Sequence, residues 1–242
     1  MSEVSIIQRP GQLRATLNSP QLSADVVMVL TAALGLAERT PGVRAFVIAS
    51  DAPAFCTGMP LTGDRPTSDI LDSLALAQDL LTGLIHSPLV TIALVDGQAT
   101  GGGVAVAASC DQVIAGPGAT FRITELLVGL LPAILLPVVA RRTGHQRAFS
   151  LALTSPLLDA AAAVDICLAD RATAKPEAEL MRMMRELART TPAAVAALKR
   201  YRNAIQPEAS SLEQASEAMR ERLDDPASRA RVTLLAEYGL LS

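Results

Sequence analysis

Hydrophobic and polar positions change period several times along the chain, and each change predicts an element. Two apolar-rich stretches, VSIIQ (4–8) and LRATLN (13–18), flank RPGQ, whose Pro-Gly pair predicts a turn and so a hairpin. From Ser23, DVVMVLTAALGLAER places apolar residues at helical spacing until TPG at 40–42 stops it. VRAFVIAS (43–50) is a short apolar run with β-branched residues, which predicts a buried strand. The pattern then repeats, with a loop at 51–67, a helix from Ser68 to His86, and the strand LVTIALVD (89–96). A glycine cluster, a small-residue helix (103–109) and the strand DQVIA (111–115) follow. Strands alternating with helices predict an α/β fold, with parallel or mixed pairing through crossover units and helices covering the sheets.

After Leu126 strand signals fade, and the remainder reads as helices punctuated by prolines at 132, 137, 156, 176, 192, 207 and 226. LMRMMRELA (180–188) and SLEQASEAMRERL (211–223) carry apolar residues on one face and charges on the other. Such faces must pack on this core or on a neighbouring subunit.

Composition narrows the partners. A chain of 242 residues, 50% of them hydrophobic, can bury a full core. With a net charge of −3, and Lys175 and Lys199 as its two lysines, it offers no basic field for nucleic acid. The longest uncharged apolar run, from Leu126 to Ala140, is too short for a bilayer and is interrupted by Gly129, Pro132 and Pro137, so no membrane partner is expected. No basic patch and apolar stretch open the chain, so a cytoplasmic location is expected. Cys56, Cys110 and Cys167 are odd in number and widely spaced, which predicts reduced thiols rather than disulfides or a zinc site; a catalytic cysteine would have to pair with His86 or His145. No metal-ligand spacing and no redox-cofactor motif are present, so neither group is expected.

Two short motifs carry candidate chemistry. APAFCTGMPL (52–61) ends one strand, and DGQATGGGVAVAASCD (96–111) ends the next with three glycines entering a helix. At such ends glycine lets backbone approach a ligand, and a helix N-terminus leaves unpaired N–H groups. Two side by side make an anion site, able to hold the enolate oxygen of a thioester without a charged side chain. No Gly-Lys-Ser/Thr follows, and the third glycine of a dinucleotide fingerprint is missing.

The order of LNSPQLSADVVMVL, VRAFVIASDAPAFCTGMPL, IHSPLVTIALVDGQATGGGVAVAASCDQVIAGPGATF and ITELLVGLLPAILLPVVARRTG resembles the crotonase, or enoyl-CoA hydratase/isomerase, superfamily over roughly residues 1–170. The resemblance implies a spiral of repeated ββα units over 1–175, and a helical region over 176–242 that covers the site and builds a homotrimer or hexamer. By position, the family's oxyanion-hole amides fall at Met59 and Gly102, and its two acid/base carboxylates at Ala105 and Glu125, so one carboxylate is retained. Cys56, Thr57, Gly58, Gly101 and Asp64 are implied around the substrate, with coenzyme A or a carrier-protein phosphopantetheine as its handle. Asp64, Arg65 or Asp69 stands as a candidate to replace the missing carboxylate, and Arg141 and Arg142 as candidates to meet a phosphate. Tyr201 occupies a position where decarboxylating relatives carry histidine. The resemblance therefore implies an acyl-thioester isomerase or hydratase-like enzyme with Glu125 as proton carrier in a pocket of Leu126, Leu127 and Leu130. Its alternatives are a decarboxylase of polyketide-type carrier-protein thioesters and an inactive partner subunit.

Overall fold

The computed structural model describes residues 2–60, 66–205 and 212–237. The predicted hairpin forms from β1 (Val4–Arg9) and β2 (Gln12–Leu17), paired antiparallel. Ser23 lies just outside α1 (Ala24–Arg39), where its hydroxyl caps the helix by accepting from the Val26 N–H. β3 (Ala45–Ser50), buried up to its half-buried last residue, and β4 (Val90–Val95), buried throughout, are parallel strands separated by α2 (Thr67–His86). Beyond them run β5 (Gln98–Thr100), α3 (Gly102–Ser109), β6 (Gln112–Ala115) and β7 (Thr120–Arg122).

The expectation that strands end near Leu126 needs correction. α4 (Leu135–Thr143) and α5 (His145–Thr154) are followed by β8 (Leu158–Asp159), α6 (Ala160–Asp165) and β9 (Arg171–Ala172). β8 and β9 are two residues long, so neither produces a readable period, and each exists only because a longer strand accepts it. α7 (Pro176–Leu187), α8 (Pro192–Ile205), α9 (Leu212–Asp224) and α10 (Pro226–Glu237) complete the chain.

The strands form a six-stranded sheet ordered β1-β2-β3-β4-β6-β9 and a smaller one ordered β5-β7-β8. Alternation along β3 explains why its run is apolar on both faces. Phe46 and Ile48 join the main core under α1 and α2, while Ala45, Val47 and Ala49 face Leu180 and Met183 of α7. α8 is pinned by charge as well, since the Lys199 ammonium donates to the Leu89 carbonyl at 2.7 Å and to Asp111, which also meets Arg202 at 2.9 Å. A third apolar cluster joins Ile70 of α2, Val128 and Leu130, and Met219, Leu223 and Val232 of α9 and α10. Among the described residues, no helix is long and apolar enough to cross a membrane.

Candidate active site

The two sheets bring the glycine-bearing segments together. Cys56 accepts from the Thr100 N–H at 2.9 Å and donates its own N–H to Gln98 at 3.0 Å, so the segment before Gly58 runs beside β5. A Cβ built on Gly58, which has φ +85°, falls 2.9 Å from the Gly102 nitrogen; one on Gly102 falls 3.7 Å from the Met59 nitrogen. The Met59 and Gly102 amides are therefore neighbours, and neither has a backbone acceptor among the described residues. Gly102 opens α3, so its N–H belongs to the unpaired first turn of a helix, where the peptide dipoles favour negative charge. Gly103 has a different task. A Cβ there would lie 2.0 Å from the Cys56 carbonyl oxygen, so its lack of a side chain lets α3 pack against the other segment.

Both amides border a cavity of about 500 Å³. One wall is apolar, with Leu74, Leu81, Leu127, Leu130, Ile134 and Met219 among its residues. Glu125 enters from a 3-10 turn, Glu125–Val128, immediately after β7. Its carboxylate sits across from the glycine triplet, because a Cβ on Gly101 would lie 2.9 Å from Oε1. The Thr124 N–H donates to Oε2 at 3.0 Å. Burial pushes the Glu125 carboxyl above the usual carboxylate range, and hydrogen bonds from its own and the Thr124 N–H oppose that rise without cancelling it. Ala105 lines the same cavity with a methyl group, so Glu125 is the one carboxylate on its wall among the described residues.

Thr57, Gly58 and Gly101 line the cavity with Met59, Gly102 and Glu125, so most of the expected site residues come together. Cys56 needs correction as a substrate contact. Its side chain is fully buried behind the wall, where burial raises the thiol to about 11, and it serves instead as a backbone partner of β5. Cys110 is likewise held protonated, pushed up to about 12 by burial, so neither buried thiol is a ready nucleophile. Asp64 and Arg65 lie outside the described residues, and Asp69 sits in the first turn of α2 away from the cavity lining. Leu127 and Leu130 line the cavity as expected, whereas Leu126 is turned out to solvent.

Arg141 and Arg142 also need correction as phosphate ligands. Arg141 donates to Asn203 at 3.2 Å, and Arg142 pairs with Asp170 and donates to the Cys110 carbonyl at 2.9 Å, so both tie the fold together. Tyr201 is 65% exposed and absent from the cavity wall. Five polar lining residues escaped the sequence reading, namely Gln98, Arg122, Arg231, Thr100 and Thr124. Strand alternation from Thr124 back to Arg122 would have offered the second; Arg231 reaches the cavity only through the folding back of α10.

That return path brings Met219 of α9 and Arg231 of α10 to the cavity wall. Arg222 donates to the Gly129 carbonyl at 3.0 Å, as does the Ser228 hydroxyl, while Arg231 donates to the Leu127 carbonyl at 2.6 Å. α9 and α10 are thus hydrogen-bonded to the turn that carries Glu125. Among the described residues, no three His, Cys, Asp or Glu side chains gather where they could hold a metal ion.

A spiral of crossover units around a pocket of paired amides defines a crotonase-type enzyme. The family model for enoyl-CoA hydratase/isomerase matches residues 11–233. A Thermus thermophilus protein assigned as an enoyl-CoA hydratase is 30% identical over 73% of this chain and 74% of its own length. The bacillaene synthase dehydratase PksH of Bacillus subtilis is 29% identical over 66% of this chain and 62% of its own. The enoyl-CoA hydratase ACTT6 of Alternaria alternata is 30% identical over 62% of this chain, which spans about half, 51%, of that relative's length. Among solved structures, an enoyl-CoA hydratase from Mycobacterium avium superposes with a TM-score of 0.87 at 25% identity, covering 98% of this chain and 97% of its own. The chain belongs to the enoyl-CoA hydratase/isomerase family and is a hydratase/isomerase-like enzyme of the crotonase superfamily.

Proposed function

We propose that the chain binds an acyl thioester with its carbonyl oxygen between the Met59 and Gly102 amides, and that Glu125 moves a proton between carbons of the acyl group. The adjacency of those two unpaired amides to a single enclosed carboxylate carries this reading. As Glu125 takes a proton from a carbon near the thioester, negative charge develops on the carbonyl oxygen, where fixed N–H donors need no reorganisation to stabilise it. Returning the proton to a different carbon shifts a double bond. With a methyl group at Ala105 in place of a second acid, holding and splitting a water by paired carboxylates is not available, which favours isomerisation over simple hydration. Similarity to proteins named as a hydratase and a dehydratase does not favour the decarboxylase or inactive-subunit alternatives.

The handle is coenzyme A or a carrier-protein phosphopantetheine, with no further cofactor. α9 and α10 act as the cover. Phe149 and Leu153 on one face of α5, Leu157 just beyond it, and Leu198 and Ile205 on α8 are exposed apolar residues suited to a homotrimer or a pair of trimers. Light scattering at micromolar concentration tests that assembly, and a monomer contradicts it. For the reaction, 2-enoyl and 3-enoyl thioesters of both handles are incubated in heavy water and followed by NMR. Double-bond migration with deuterium entering the acyl chain is expected; no exchange and no migration with any thioester overturns the reading.

A further inference from the structure

One part of the cavity is not used by that chemistry. Gln98 and Thr100 on β5 stand opposite Thr120 and Arg122 on β7, with Thr100 directly across from Arg122. Period-two alternation puts these polar residues on one face of the small sheet, while Ala99 and Phe121 point into the core. Gln98, Thr100 and Arg122 all reach the cavity, giving it a polar wall distinct from its leucine-rich one.

The Arg122 side chain is held in place. Its Nε donates to the Ser155 carbonyl at 3.0 Å and lies 3.3 Å from the Ser155 hydroxyl. Ser155 is itself buried, and its hydroxyl donates to the Ile123 carbonyl. That bracket uses one of the five N–H donors of a guanidinium. Among the described residues no acceptor meets Nη1 or Nη2, and no carboxylate pairs with Arg122. Beside it, the Gln98 amide donates to Thr100 Oγ1 at 2.8 Å, so the Thr100 hydroxyl is left to donate its own proton elsewhere. Glu125 is not the partner, since its Oε2 accepts from the Thr124 N–H and no ion pair joins it to Arg122 among the described residues. A cation fixed in a largely apolar cavity with its fork unused, next to a hydroxyl turned donor, is an arrangement that recognises a carboxylate.

We propose that Arg122 and Thr100 form an anion subsite, and that the acyl group presented to Glu125 carries a carboxylate of its own. This deepens the acyl-thioester reading and rests on it. The substrate class is then a short dicarboxylic, unsaturated acyl thioester, whose apolar stretch crosses the leucine wall and whose far carboxylate pairs with Arg122. The subsite also aligns the chain, because an acyl group pinned at both the carbonyl oxygen and the carboxylate presents the intervening carbons to Glu125 in one register.

Calorimetric titration of butyryl-pantetheine and glutaryl-pantetheine, which lack phosphate, tests this in wild type, R122M, R122K and T100V, each checked for native circular dichroism. Wild type is expected to bind the glutaryl compound at least about tenfold tighter, R122M to bring the ratio near one, and R122K to recover part of it by charge without the fork. T100V, which leaves the Ser155 bracket intact, is expected to lower the ratio by a smaller factor. Equal affinity for the two compounds in wild type, a ratio unchanged by R122M, a preference that appears only when the handle bears phosphate, or no binding of either overturns the proposal. Turnover of crotonyl and glutaconyl thioesters separates the two readings. Turnover without carboxylate selectivity removes the subsite and leaves the thioester enzyme. Selective binding without turnover or exchange removes the proposed reaction and leaves the subsite.

Discussion

Glu125 meets two opposed demands. Enclosure raises its affinity for a proton, while the N–H of Thr124 holds Oε2 and keeps the ionised form within reach, a balance that suits the proton transfer proposed for it. Replacing it by glutamine should lower kcat roughly 10²- to 10⁴-fold with a small change in KM, as measured by steady-state kinetics. The same substitution reports on stability. The folded protein holds this carboxyl protonated to a higher pH than the unfolded chain does. Its favourable contribution is therefore present below the ordinary glutamate value and is lost as pH rises through the raised folded value. E125Q, neutral throughout, should gain stability relative to wild type in denaturant melts as pH rises above the ordinary glutamate range; a difference that does not change with pH contradicts the raised affinity for the proton. The glycines separate folding from function. G103A drives a methyl into the Cys56 carbonyl and should cost about 3 kcal/mol of stability or more. G102A meets the Gly58 Cα at 3.2 Å, close enough to part the two amides, so its melting should change less than its turnover.

Among the helices, α8 is held largely by charge. Only Lys199 of its residues is buried, and the helix is tied to the sheet through the Asp111 cluster rather than by a broad apolar stripe. Asp111 also accepts from the Thr91 N–H at 2.9 Å, so one carboxylate joins β4, the start of β6 and α8. Burial lowers the affinity of the Lys199 amine for its proton, and Asp111 opposes that effect. Removing the carboxylate leaves a buried ammonium and a guanidinium without their anion. D111A should therefore lose about 3–5 kcal/mol in urea unfolding, whereas an exposed pair such as Arg229 with Asp224 should matter little when broken.

At the scale of the whole molecule, the end of the chain returns to the site that its first half builds. Arg222 and Ser228 converge on the Gly129 carbonyl, and Met219, Leu223 and Val232 join Val128 and Leu130 in one apolar cluster. α9, α10 and the turn bearing Glu125 are thus one packing unit. Weakening it with R222A and S228A together should speed amide exchange over residues 125–131 and raise KM more than it lowers kcat. Exchange and KM equal to wild type would mean that α9 and α10 hold the turn by apolar packing alone.

Local pattern was enough for the long elements. The apolar runs of β3 and β4, the helical spacing of α1 and α2, the stop at TPG and the cap at Ser23 all follow from interactions within a few residues, and they survive intact in the fold. Aligned motifs further marked residues 59, 102 and 125 as candidates, because a backbone site advertises itself through the glycines it requires. What remained hidden was decided across the chain. β8 and β9 are too short to have a period and form only on a neighbour's edge. Cys56 reads as a site residue, yet register turns its thiol away from the cavity. Arg122 acquires its unused fork only because Ser155, 33 positions later, claims Nε, and Arg231 reaches the cavity only when α10 folds over the turn at Leu127. Propensity and period act over one or two turns of chain, whereas the direction of a side chain is fixed by whichever distant groups complete its contacts.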